Sequence, residues 1–125
     1  WWRGIADFIA IDGDIAFLVD YKTGKSTRYA DTKQLEILSL ALFKHFPKVN
    51  EVKGALLFFV AQELVQEKFY REREESYWES WDLDLEKLNI SFESDTWNPK
   101  KNFSCWKFCP VTDCSFNGRG FPNAT

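Results

Sequence analysis

Asp7, Asp20 and Lys22 are charged side chains in an otherwise apolar stretch near the start of the 125-residue chain. Asp is depleted in β-strands, and an unpaired charge on a buried face is costly. A hard divalent cation resolves both problems, because carboxylate oxygens are the ligands that magnesium prefers. Such a cation can polarise a phosphoryl oxygen, and a lysine beside it adds positive charge where a phosphodiester gains negative charge. The pattern is therefore a candidate for metal-assisted phosphodiester hydrolysis; the alternative is a surface hairpin with an Asp–Lys ion pair.

The pair Asp12-Gly13 predicts the turn that brings these side chains together. Apolar residues alternate on both sides of it, and Asp-Gly between such runs is the strongest short-range signal for a β-hairpin. If the loop consists of Gly13 and Asp14, the first carboxylate lies directly opposite the second. If it consists of Asp12 and Gly13, the first lies diagonal to the second. Either register gathers both carboxylates and the lysine on one face, and only a three-residue loop would separate them.

The motifs in and after this hairpin resemble the core of the PD-(D/E)xK nuclease superfamily. Residues 4 to 7 read G-I-A-D, which is similar to the G-x-x-D strand of its RecB-like branch. Residues 20 to 24 read D-Y-K-T-G, as that branch does. Gln34 opens an apolar helical run where the branch carries a Q-x-x-x-Y helix, although Leu38 stands at the tyrosine position. The resemblance covers residues 3 to 60 well and the tail loosely.

The resemblance implies roles for individual residues. Asp7 and Asp20 would bind one or two Mg²⁺ or Mn²⁺ ions, with the backbone carbonyl of Tyr21 as a further ligand. Lys22 would orient or activate the attacking water. Gln34 would position that water, the lysine or a phosphate. The implied enzyme is a metal-dependent deoxyribonuclease, and a phage or recombination-type exonuclease is favoured over an endonuclease.

The polar connection after the hairpin is the candidate DNA-binding segment, in which Lys25, Arg28 and Tyr29 would contact the DNA backbone. The net charge is −3, so any contact with DNA must come from a local basic patch. No apolar run reaches the length of a membrane span, and no signal peptide is visible. Together with the resemblance to phage and recombination nucleases, this predicts a cytoplasmic protein of a bacterium or a phage-infected cell.

The periodicity of the chain and the resemblance together predict an α/β fold, with a mixed central β-sheet flanked by helices as in a restriction-endonuclease-like core. Pro47 should stop the first helix. The expected elements after the hairpin are a helix from Asp31 or Thr32 to about Phe46, a buried strand from Val52 to Val60, a weaker strand from Glu63 to Tyr70 and a charged helical segment over residues 71 to 93. Residues 1 to 93 should form the nuclease core, and residues 94 to 125 an irregular tail of the same domain.

Cys105, Cys109 and Cys114 lie at short spacing in the tail, a pattern that suggests a metal. Some RecB-like nucleases, including CRISPR-associated ones, carry an iron–sulfur cluster held by one upstream cysteine and three near the C-terminus, and this tail is similar to that arrangement. A four-cysteine site needs a fourth ligand, and the chain has no other cysteine. Free thiols or one disulfide are therefore favoured over a cluster.

The chain contains no Met and begins at Trp1-Trp2, just before the first motif strand. In the resembled family, helices precede this strand, and one of them carries a further acidic or histidine site residue. We expect those helices to be missing, which would leave part of the core face open and favour a homo-oligomer. The competing functions are a catalytically impaired DNA-binding module of the same fold and an iron–sulfur-containing nuclease.

Overall fold

A four-stranded mixed β-sheet is the centre of the computed structural model, which describes residues 4–28 and 30–118. Its strands lie in chain order: β1 (Phe8–Asp12), β2 (Ile15–Lys22), β3 (Glu51–Phe58) and β4 (Glu63–Tyr70). The inner pair, β2 and β3, is parallel, and the two outer pairs are antiparallel. Helix α1 (Lys33–His45) connects the parallel strands, which need a crossover of this kind. The predicted mixed sheet with flanking helices is confirmed.

The chain divides into two compact units, Trp1–Asp84 and Leu85–Thr125. Helix α2 (Glu74–Glu93) begins in the first unit after a short 3-10 turn. The second unit holds the rest of α2 and the four-residue helix α3 (Ser104–Lys107) among turns. In the part of the chain that the structure describes, every helix is too short or too polar to cross a membrane.

The loop between β1 and β2 consists of Gly13 and Asp14, because the residues that flank these two pair directly with each other. Gly13 has a φ of +62°, a left-handed conformation that glycine adopts readily and that tight hairpin turns require. Of the two registers considered above, this is the one that places the two carboxylates directly opposite each other. The last strand pair is Phe8 with Val19, and the same register continued by one residue sets Asp7 opposite Asp20.

Helix α1 covers one face of the sheet, and the apolar core lies between them. Side chains alternate along β2, so Asp20 and Lys22 lie on the same face as the buried Leu18, at the end of the strand. The core between the helix and the sheet includes Ala16, Leu18, Leu35, Leu38, Leu42, Val52, Leu56 and Phe69. Packing of this core therefore fixes the first turn of α1 directly above the charged residues of β2.

Within residues 4–28 and 30–118, the side of the core next to β1 is open. Ile9 and Ile11 project to the face that α1 covers elsewhere, yet they are 44% and 41% exposed. A cleft of about 1100 Å³ lies there, with Leu18, Leu38 and Trp78 among its walls. Trp1 and Trp2 lie outside the described residues.

Gly54 on β3 lets α1 approach the sheet closely. A Cβ atom at this position would lie 3.2 Å from Leu35 Cδ1 and 3.3 Å from both Leu35 Cβ and Phe69 Cε2. All three atoms belong to fully buried side chains. The absence of a side chain at residue 54 therefore sets the height of the helix above the sheet, beside the turn that carries Gln34.

We expect Gly54→Ala to lower the free energy of unfolding by about 1–3 kcal/mol, the usual cost of overpacking a filled core. Gly24→Ala is the matched control, because its Cβ would meet the Phe58 ring at an ordinary contact distance of 3.5 Å. Urea denaturation of both variants measures the difference. A Gly54→Ala protein as stable as wild type would show that the helix has room to move.

Candidate active site

Asp20, Lys22 and Gln34 form a closed polar triangle. Lys22 Nζ lies 2.6 Å from Asp20 Oδ2 and donates a hydrogen bond of 2.8 Å to Gln34 Oε1. Gln34 Nε2 in turn donates to Asp20 Oδ1 at 2.6 Å. Each side chain therefore contacts the other two, and the structure brings together three of the four residues predicted to be catalytic.

The triangle follows from the local structure of two elements. Alternation along β2 places Asp20 and Lys22 on one face, two residues apart. Gln34 belongs to the first turn of α1, immediately before the fully buried Leu35. Because Leu35 is fixed over Gly54, the preceding residue is held above the end of β2.

The Asp20 carboxylate is buried, with only 7% of its side chain exposed, whereas 33% of the Lys22 side chain is exposed. A buried carboxylate is unfavourable unless hydrogen bonds or an opposite charge compensate it. Asp20 Oδ1 receives the Gln34 amide, but Oδ2 accepts no hydrogen bond, and its contact with Lys22 is an ion pair only. The Lys22 ammonium is therefore the cation beside this buried oxygen, and a metal ion bound here would share the oxygen with it.

Asp7 lies beside the triangle and outside its hydrogen bonds. Its side chain is exposed, and Oδ2 accepts a 2.8 Å hydrogen bond from the backbone N–H of Tyr21. That bond holds the carboxylate against the β2 residue that separates Asp20 from Lys22. The Tyr21 side chain lies on the opposite face, where its ring packs against Phe59 with the centroids 5.2 Å apart.

The donors at this end of β2 fit a hard divalent cation. Mg²⁺ is usually bound through one or two carboxylates and keeps several waters, so Asp7 and Asp20 are a sufficient set of protein carboxylates. The buried Asp20 Oδ2 that lacks a hydrogen bond is the observation in favour of this fit. Within residues 4–28 and 30–118, no group of three or more His, Cys, Asp or Glu side chains could hold a metal ion.

The loop from β2 to α1 carries the residues predicted to bind DNA. Lys25 and Arg28 are exposed on it, and Tyr29 lies outside the described residues. Thr27 Oγ1 donates a 2.5 Å hydrogen bond to Glu63 Oε2 and so ties the loop to the first residue of β4. Lys25 and Arg28 thus lie on a restrained loop that begins directly after Lys22.

The three cysteines lie in the second unit and are free. Cys105 is buried, and Cys109 and Cys114 are partly exposed. Cys105 Sγ accepts a weak hydrogen bond of 3.4 Å from the backbone N–H of Asn102. The side-chain grouping that an iron–sulfur site would require is not found in the described part of the tail.

Arg71 is a positioning residue that sequence reasoning missed. Its Nε donates to the Val49 carbonyl at 2.7 Å, and its Nη2 donates to the carbonyls of Phe43 and Phe46 at 3.0 and 2.9 Å. The guanidinium therefore holds the C-terminal end of α1. Its partners are 22 to 28 residues away along the chain, so no local pattern marks them.

A family model described as the PD-(D/E)XK nuclease superfamily matches residues 2–114. Because this match covers most of the chain, the protein belongs to that superfamily. The superfamily consists of nucleases that typically use divalent metals, and it implies DNA as the substrate. The match does not distinguish the RecB-like branch from others. Searches of curated proteins and of solved structures found no match.

We expect Gln34→Leu to lower the free energy of unfolding by about 1–3 kcal/mol, because it removes the hydrogen bond to the buried Asp20 and leaves the Lys22 ammonium with Asp20 as its one remaining partner in the triangle. Gln66→Leu is the matched control, since Gln66 is exposed on β4. Thermal and urea unfolding without added metal measure the two changes. Equal effects would contradict the importance of the triangle for the fold.

Proposed function

We propose that this nuclease hydrolyses phosphodiester bonds of DNA with Mg²⁺ or Mn²⁺ at a site formed by Asp7, Asp20, Lys22 and Gln34. The observation that carries the proposal is the buried Asp20 carboxylate, which has one oxygen without a hydrogen bond and an ion pair with Lys22. A second carboxylate, that of Asp7, is held at the same end of β2 by its hydrogen bond to the Tyr21 N–H. Membership of the superfamily supports the same reaction.

Asp7 and Asp20 would hold the metal, and the Tyr21 carbonyl is the proposed further ligand. Asp7 is already held at this residue by its hydrogen bond to the Tyr21 N–H. When bound, the metal supplies a Lewis acid that polarises a phosphoryl oxygen and lowers the pKa of a water molecule. The two carboxylates give the cation a fixed place at the end of β2.

Lys22 would orient the attacking water and stabilise the negative charge that develops on the phosphoryl group. Its ammonium carries three N–H donors and uses one of them in the hydrogen bond to Gln34 Oε1. A third of the side chain is open to solvent, so a water or phosphate oxygen can reach the remaining donors. Gln34 keeps the ammonium directed at this position.

Lys25 and Arg28, together with Tyr29, would bind the DNA backbone. Both described residues are exposed on the loop that leaves β2 after Lys22. Contacts of this kind go to phosphates, so they would fix the register of the DNA and carry no sequence preference. The Thr27–Glu63 hydrogen bond restrains the loop that carries them.

We infer an exonuclease of the RecB-like type that acts in the cytoplasm of a bacterium or a phage-infected cell. The D-Y-K-T-G motif at residues 20 to 24 supports the branch. The open cleft beside β1 supports self-association, since exposed apolar surface favours contact with a second copy.

A catalytically impaired DNA-binding module is the second candidate, because Leu38 occupies the tyrosine position and lies in the core.

Labelled linear and circular DNA, incubated with and without Mg²⁺, tests the proposed function. We expect linear DNA to be degraded and circular DNA to survive, EDTA to stop the reaction, and Mg²⁺ or Mn²⁺ to restore it. Asp20→Asn should abolish cleavage, because it removes a metal-binding carboxylate. Cleavage that persists in EDTA would refute the metal site, and DNA binding without cleavage under all conditions would support the impaired module.

Lys22→Ala should reduce turnover by about two orders of magnitude or more, the scale observed when one electrostatic stabiliser is removed. The matched control is Lys53→Ala, since Lys53 lies over the Phe17 ring on the opposite face of the sheet, with Nζ 5.4 Å from the centroid. Single-turnover cleavage of linear DNA compares the two. A fully active Lys22→Ala enzyme would show that Asp20 and Lys22 form only a structural ion pair.

A further inference from the structure

A second polar cluster holds the first turn of α1 from the side of α2. We name it the α1–α2 clasp, and it consists of Lys33, Glu36 and Ser80. Lys33 Nζ donates to Ser80 Oγ at 2.7 Å and to Glu36 Oε1 at 2.8 Å. Ser80 Oγ also lies 2.9 Å from Glu36 Oε1, so each member of the clasp contacts the other two.

The clasp is more than one exposed ion pair. An isolated surface pair contributes little to stability, because solvent screens it and its side chains lose entropy. Here the Glu36 side chain is only 15% exposed, and Lys33 Nζ lies 5.2 Å from the centroid of the Trp81 ring. Trp81 itself packs against the core. The clasp therefore joins the turn to a fixed part of α2.

The position of the clasp along α1 connects it to the candidate active site. Lys33, Gln34 and Leu35 are consecutive, and successive helical residues point about 100° apart. Lys33 points to α2, Gln34 contacts Asp20 and Lys22, and Leu35 is buried on the sheet. A rotation or shift of this turn would move all three side chains together.

Gln34 tolerates little movement, because both ends of its amide are in use. Oε1 accepts from Lys22 at 2.8 Å and Nε2 donates to Asp20 at 2.6 Å. A misplacement of about 1 Å in a catalytic arrangement can cost on the order of 100-fold in rate. The turn that carries Gln34 is therefore a place where remote contacts can affect turnover.

We propose that the α1–α2 clasp is a positioning device for the nuclease reaction, which acts through Gln34. Ser80 is its central member, since it is the residue on α2 that both Lys33 and Glu36 contact. The proposal rests on the proposed function. It assigns a positioning role to three residues of α1 and α2, and none of the three contacts the substrate.

Ser80→Ala against Ser76→Ala is the matched comparison. Both serines lie on α2 with Oγ within hydrogen-bond distance of the carbonyl three residues earlier, Ser80 at 2.7 Å and Ser76 at 2.8 Å. Ser80 alone of the two bonds to α1. We expect Ser80→Ala to lower kcat about 5- to 50-fold with an unchanged KM for DNA, within the range for a small misplacement. Ser76→Ala should match wild type, and Ser80→Thr should retain activity because it keeps the hydroxyl.

A double-mutant cycle tests whether the clasp acts through Gln34. In a Gln34→Ala background, Ser80→Ala should cause no further loss of kcat, because residues that act through one group are not additive. A loss of the same size in both backgrounds would overturn the proposal, since it would show that Ser80 acts on overall stability.

The side-chain amide signals of Gln34 in ¹H–¹⁵N NMR give a readout that does not depend on activity. Ser80→Ala should shift them, and Ser76→Ala should leave them in place. If both variants match wild type in kcat and in these signals, the proposal is wrong. A wild-type protein without nuclease activity would instead overturn the proposed function, and the Gln34 signals would still decide whether the clasp positions this residue.

Discussion

The Asp20 carboxylate is buried at the edge of an apolar core, and the arrangement of the first unit depends on how its charge is compensated. Lys22 supplies the opposite charge from the same strand, and Gln34 supplies an amide from the helix above. Because these partners come from two elements, compensation of one charge also fixes α1 relative to β2. Burial makes the Asp20 charge costly in a strand. The same burial leaves a carboxylate oxygen without a hydrogen bond, and such an oxygen can bind a cation.

Three independent contacts keep α1 in the place that this compensation requires. Gly54 allows the helix to approach the sheet, as any side chain there would meet Leu35. Arg71 holds the C-terminal end through three backbone carbonyls, and Ser80 contacts the first turn. The helix is thus fixed at its base and at both ends, so the Gln34 amide lies in reach of Asp20 and Lys22 without a contact of its own to the sheet backbone.

Local patterns predicted the hairpin, the helix and the strands because each is encoded within a few residues. Alternation and the Asp-Gly turn were enough to place Asp7, Asp20 and Lys22 on one face, but they left two registers open. The register with a Gly13–Asp14 loop, which sets Asp7 opposite Asp20, is the one that occurs. The strand predicted to reach Val60 ends at Phe58, since its last two residues form the turn to β4. The contacts of Ser80 with α1 and those of Arg71 could not be predicted, because they join residues 22 to 47 positions apart and depend on how the helices pack.

The central claim is that a divalent cation binds between Asp7 and Asp20, and paramagnetic Mn²⁺ tests it directly. Titration of a ¹⁵N-labelled sample should broaden the amide signals of Asp7, Asp20 and Tyr21 first, together with the side-chain amide of Gln34, and Asp20→Asn should remove this selectivity. The competing location is the acidic surface of α2 around Glu79 and Asp82. Broadening that is centred there, and that Asp20→Asn leaves unchanged, would contradict the metal site.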